Sequence, residues 1–227
     1  MIAALVRAFA ALAQPQLRRV VGLSLGVAVA VFAALWLGIA WALHGHSAFA
    51  WAPLDWLVNL LGMLAVLLLT WVLFPAVATL AAAFFLDRVA TAVEASDYPA
   101  KPPPRIRPMR EAFTATARLM GLTILLNLLA LPLYVLMPAL NIFVFLGLNG
   151  YLLGREYFEV VALRRLDTMA AREMRRRFAG RLFLGGVTIA GLFAVPVLNL
   201  VAPVVATAFM VHLFEGLSGR TAAALPS

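Results

Sequence analysis

Two adjacent arginines, Arg18 and Arg19, stand immediately before a long uncharged stretch that opens at Val20. Guanidinium groups placed there can hold an anion at a helix entrance by charge-assisted hydrogen bonds, or fix topology and grip lipid headgroups. Deeper in apolar sequence, Pro138-Ala139-Leu140-Asn141 resembles Pro196-Val197-Leu198-Asn199. Proline interrupts a helix and asparagine suits the N-cap of the half-helix that follows. Two readings stand for Asn141 and Asn199: they satisfy backbone at a turn, or half-helix N-termini carry partial positive charge into the membrane interior toward an anion. Arg155 and Glu156 lie where another apolar run ends, and either line a polar entrance or pair with neighbours at the interface. Asn127 and Asn149 sit in apolar sequence, where interhelical hydrogen bonds are expected. His44 and His46 could touch a metal but lack a third ligand at a suitable spacing, so no metal site is expected. His212, near the end of the last apolar run, reads as an interfacial side chain rather than a proton carrier.

What is missing narrows the chemistry further. Cysteine is absent, which removes disulfides, thiol nucleophiles and Cys-based metal sites. No phosphate-binding glycine loop, serine nucleophile motif or metalloprotease helix occurs, so neither enzyme activity nor a cofactor is expected. No Asp or Glu lies inside the apolar runs, where proton-coupled carriers usually place such groups, and this favours passive or channel-like movement.

The elements that must position these residues follow from composition. Apolar residues make up 64% of the chain and charged ones 12%, a membrane-protein balance. The net charge of +8 lies at the margins of apolar runs without the interleaved aromatics of single-strand readers, so it reads as membrane-surface charge with no nucleic-acid partner. Met1 to Ala13 carries Ile2, Leu5, Val6, Phe9 and Leu12 at helical spacing, the pattern of a short interfacial helix ended by Pro15. Four uncharged runs follow: 20–43, 56–86, 119–154 and 182–214. The first is too long for a cleaved signal segment and is expected to span.

Length and charge together set the crossings. The first two runs give one spanning helix each, the second with surplus length beyond Pro75 or taken up by tilt. The loop from His44 to Asp55 has no Lys or Arg, while arginines precede the first helix and crowd 88–118 after the second, which puts both outer flanks in the cytoplasm. The third run is followed by Arg155, Arg164, Arg165, Arg172, Arg175, Arg176, Arg177 and Arg181, so it must return to the side it left. Two full spans and a turn need more than about 40 residues, which neither the third run nor the fourth has. With Pro132, Pro138, Pro196 and Pro203 inside them, both read as re-entrant, half-penetrating hairpins, six short spanning helices being the alternative. The fold class is therefore an all-α integral membrane protein: two long transmembrane helices, two proline-broken hairpins and amphipathic cytoplasmic helices. Residues 87–118 read as a stiff proline-rich linker. Residues 155–181 read as one helix with Phe158, Val161, Leu166 and Met169 on its apolar side and a Glu173–Arg177 pair. One domain spans residues 1–227.

Several stretches resemble the CysZ family of bacterial sulfate permeases and the wider etoposide-induced membrane protein family. They are Gln14-Pro15-Gln16-Leu17-Arg18-Arg19, Tyr98-Pro99, Asn149-Gly150-Tyr151-Leu152-Leu153-Gly154-Arg155-Glu156-Tyr157-Phe158 and Pro196-Val197-Leu198-Asn199-Leu200-Val201-Ala202-Pro203. The resemblance implies two spanning helices, two partly penetrating hairpins, homo-oligomers and sulfate uptake across the bacterial inner membrane. The family's Gly-Leu-Arg anion motif is matched here by Gln16-Leu17-Arg18, without the glycine.

Two functions follow as expectations. One is an anion permease, sulfate first, in which Arg18 and Arg19 attract the ion and the half-helix ends replace part of its hydration. The other is a membrane scaffold whose basic face, Arg172 to Arg181, binds lipid or a partner protein.

Overall fold

The computed structural model describes residues 1–43, 52–83, 85–105 and 108–223, and among these the chain is built from helices without a strand. His44 and His46 lie outside the described residues. Helix α1 (Ile2–Ala11) leads into α2 (Pro15–Leu43) and α3 (Ala52–Ala83). Pro15 does more than end α1: it takes the first position of α2, where a missing N–H costs nothing, so Arg18 and Arg19 belong to that helix's first turns. The second long helix stays helical past Pro75 to Ala83, shifted from the expected 56–86. α2 and α3 pair antiparallel, with Phe32 against Phe74 at 5.7 Å between rings and the Trp36 indole donating to the Thr70 hydroxyl at 3.0 Å.

Residues 87–118 are not one extended linker. Val89 and Val93, four apart, are buried, and that apolar stripe folds Leu86–Asp97 into α4. Extended chain is confined to the prolines after Tyr98. Next come α5 (Met109–Leu136), a 3-10 turn (Pro138–Leu140), α6 (Asn141–Ala162), α7 (Thr168–Arg177), α8 (Ala179–Ala194), α9 (Pro196–Asn199) and α10 (Ala202–Ala223). Both hairpin breaks fall at expected prolines, Pro138 and Pro196, whereas Pro132 rides inside α5. The helices overrun the apolar limits 119–154 and 182–214, because hydrogen-bonded turns continue into charged sequence.

The expected helix over 155–181 is two helices. Its first part completes α6; the chain then turns, and the Asp167 carboxylate accepts from the Ala170 N–H at 2.8 Å to cap α7. The Glu173–Arg177 pair does not form among the described residues, and Met169 is exposed. α7 and α8 meet at a bend of 88°.

Three described stretches, Pro15–Trp41, Phe113–Leu136 and Ala202–Gly219, are long and apolar enough to cross a membrane, and the chain is a multi-pass helical membrane protein. Its centre is α10, packed by α1, α2, α3, α4, α6 and α8. α1 turns Ala8 and Ala11 inward and leaves Ile2 and Val6 exposed. The tightest contact joins α6 and α8 antiparallel through Gly150, Gly154 and Gly186. A Cβ on Gly186 would collide with the Gly150 carbonyl oxygen and the Gly154 nitrogen, and one on Gly154 with the Leu182 carbonyl. Lipid tails are as apolar as leucine, so such close packing, not hydrophobic exclusion, holds two helices together in a bilayer.

Candidate functional site

Charge gathers at one end of the bundle, where α4, the proline segment, the α6–α7 turn and the last turns of α10 meet. Arg164 is buried there, donating to both Glu94 oxygens at 3.3 and 3.1 Å, to Asp87 Oδ1 at 3.1 Å and to the Thr91 hydroxyl at 2.7 Å. Arg165 reaches Glu94 at 3.6 Å, Glu215 at 3.4 Å and the Pro102 carbonyl at 2.6 Å, and Lys101 lies 3.0 Å from Glu215. The Arg105 amide donates to the Arg164 carbonyl at 2.8 Å and its side chain pairs with Glu111. These bonds clamp the segment after Tyr98 onto the α6–α7 turn. His212 is buried at this end: Tyr98 lies 2.9 Å from its Nδ1 and Asp97 3.5 Å from its Nε2.

Acidic partners are few enough that several arginines stay uncompensated. A groove of about 530 Å³ between α2 and α4 is lined by Gln16, Arg19, Leu23, Asp87, Arg88 and Thr91. Asp87 Oδ1 lies 3.1 Å from Arg164, and its single carboxylate is outnumbered in the groove by the guanidiniums of Arg19 and Arg88. A second, tighter cavity lies among α5, α6 and α7. Arg118 comes from α5, Arg155 and Glu159 from successive turns of α6, and Thr168, Arg172 and Arg175 from one face of α7. Glu159 pairs with Arg155 at 2.8 Å and Arg175 at 3.3 Å.

The expected site residues do not converge. Arg18 is exposed and forms no ion pair among the described residues, while Arg19 lines the groove. Asn141 is not an N-cap: it occupies the first position of α6, and its amide, oriented to donate, reaches the Met137 and Tyr134 carbonyls at 3.3 Å each. It closes the end of α5 instead. Asn199 ends α9 and precedes α10 by two residues, so it does not cap α10 either. α10 rises about 1.5 Å per residue, which sets its first turn roughly 15 Å below His212 and the charged end. Arg155 joins the α5–α6–α7 cavity, but Glu156 is exposed and does not line it. Asn127 and Asn149 bond carbonyls of their own helices, Thr123 at 2.8 Å and Phe145 at 2.9 Å, rather than other helices.

The buried acids Glu94 and Glu215 and their partners Arg164 and Arg165 were missed. A lone Glu in the amphipathic Leu86–Asp97 stretch was the available signal. The α7 face was also readable as Thr168, Ala171, Arg172 and Arg175 at i, i+3, i+4 and i+7.

Comparison with known proteins gave one result. A family model described as sulfate transporter CysZ/etoposide-induced protein 2.4 matches residues 4–203. No curated protein and no solved structure matched.

Proposed function

Because the chain belongs to the sulfate transporter CysZ/etoposide-induced protein 2.4 family, we propose that it passes a small inorganic anion, sulfate first, through the bacterial inner membrane. The observation that carries this is the α2–α4 groove, in which two guanidiniums, Arg19 and Arg88, face the same space as one carboxylate, Asp87, and leave it net positive. Two guanidiniums beside an opening attract a dianion and replace part of its hydration through charge-assisted hydrogen bonds. Movement is passive, the N-terminus and the arginine-rich end lie in the cytoplasm, and the protein works as a homo-oligomer in contact with membrane lipid. It is not an enzyme, takes no cofactor and binds no nucleic acid.

On this reading one arm of each hairpin stops short of a full crossing: the uncharged parts of α6 (141–154) and α8 (182–194) rise about 20 Å each, against about 30 Å of hydrocarbon, whereas their partners Phe113–Leu136 and Ala202–Gly219 are long enough to cross. The scaffold reading loses ground because Arg175 and, at the rim, Arg172, two of the five arginines from Arg172 to Arg181, line a cavity.

Purified protein in liposomes should admit labelled sulfate faster than empty vesicles, and Arg19→Gln should cut that flux by roughly tenfold, the loss of one charge-assisted contact. Flux equal to empty vesicles sinks the permease.

A further inference from the structure

We propose that the cavity among α5, α6 and α7 is a second anion site, separate from the α2–α4 groove, built for a tetrahedral oxyanion such as sulfate, phosphate or the phosphate of a lipid headgroup. Four guanidiniums, those of Arg118, Arg155, Arg172 and Arg175, line a space of about 40 Å³ that contains one carboxylate, Glu159. Glu159 is shared between Arg155 and Arg175, so it neutralises one charge and satisfies one N–H of each. Arg118 and Arg172 have no acid partner among the described residues. Like charges held this close repel, and burial together with neighbouring Arg155 pushes the Arg175 guanidinium below its ordinary value. An oxyanion between them would remove that repulsion and accept the N–H groups Glu159 leaves free, in the bidentate geometry guanidinium favours.

The shape fits such a ligand. The space holds roughly three water molecules at about 10–15 Å³ each. Thr168 lines its wall with its hydroxyl donating to Glu111 at 3.1 Å, and Ala115, Ala171 and Leu163 close the remainder with apolar surface. The residues arrive at helical repeats from three elements: Ala115 and Arg118 on α5, Arg155 and Glu159 on α6, and Thr168, Ala171, Arg172 and Arg175 on α7. Asp167 fixes the start of α7 and hence the register of that face. The rim arginines are exposed and the floor pair mostly buried, so an ion can enter without opening the fold.

The test follows amide hydrogen exchange in the full chain, reconstituted in discs of neutral phosphatidylcholine, with sulfate, phosphate or chloride added. Sulfate or phosphate, but not equal ionic strength of chloride, should slow exchange across α7 and the end of α6. Arg118→Gln combined with Arg172→Gln should weaken that effect by roughly tenfold or more. Arg176→Gln, which removes the same charge from an exposed position outside the cavity, should retain it. Glu159→Gln should tighten sulfate binding several-fold and make the melting temperature rise more steeply with sulfate than the parent's does, because the floor arginines then lose their sole lining carboxylate. Protection that appears without added oxyanion only in phosphatidylglycerol discs, and is lost in the double variant, assigns the ligand as a headgroup phosphate. Absence of protection in both discs overturns the site, as does protection that survives in the double variant. Sulfate flux in liposomes is read separately, so a protein that binds here and transports nothing refutes the permease and leaves this site standing.

Discussion

Gly186→Val yields no folded protein. The atoms a side chain would meet at this position are the carbonyl of Gly150 and the nitrogen of Gly154, both backbone, so no rotamer change makes room. α6 and α8 would have to separate, and with them the contact that joins the two hairpins. A cost above about 4 kcal/mol is exceptional for a single substitution and belongs to overpacking of this kind. The measurement is size-exclusion of detergent-solubilised protein: the variant should aggregate or fail to accumulate. Gly180→Ala is the control, since nothing lies within 4 Å of a Cβ there and the helix gains propensity. A monodisperse Gly186→Val protein with parent-like melting would show that α6 and α8 do not cross this closely.

Arg164→Ala should be the most damaging charge deletion. Arg164 and Glu94 have side chains only 9% and 7% exposed, so removing the guanidinium leaves a buried carboxylate with one longer contact, to Arg165 at 3.6 Å. Breaking a buried pair from one side costs about 3–5 kcal/mol, most of it the penalty on the partner left behind. The arm to Asp87 adds little, because that carboxylate is 82% exposed and screened by solvent. Melting should fall on the order of 10 °C for a chain of this length. Removing both charges, as Arg164→Met with Glu94→Met, should recover much of the loss, since the desolvation penalty goes with the carboxylate. A single variant that melts like the parent would mean the pair is hydrated, not buried.

Helical class, the multi-pass character and the two hairpin breaks were legible because each rests on a strong local signal: long uncharged runs and prolines at 138 and 196. α4 was hidden because five prolines nearby gave its segment the look of a linker, although Val89 and Val93 already stood one helical turn apart. For Asn141 the backbone-at-a-turn reading is the one that forms, but at the end of α5 and not as the cap of α6, because asparagine bonds orphan carbonyls as readily as orphan amides and only the fold decides which helix end it closes. The glycines at 150 and 154 stood within the stretch that carried the family resemblance, yet their packing role depends on Gly186, more than thirty residues away. Arg155 was picked out only with its chain neighbour Glu156. Its grouping with Arg118 and Arg175 needed three helices brought together.

The pairing of α1 with α10 joins helices separated by most of the described chain. Until α10 has emerged, Ala8 and Ala11 have no partner, and Val89, Phe158 and Ile189 lack the neighbours that bury them. Insertion of α1 to α8 therefore precedes tertiary closure by α10, leaving a half-made chain that membrane chaperones and proteases can recognise by its unfilled centre.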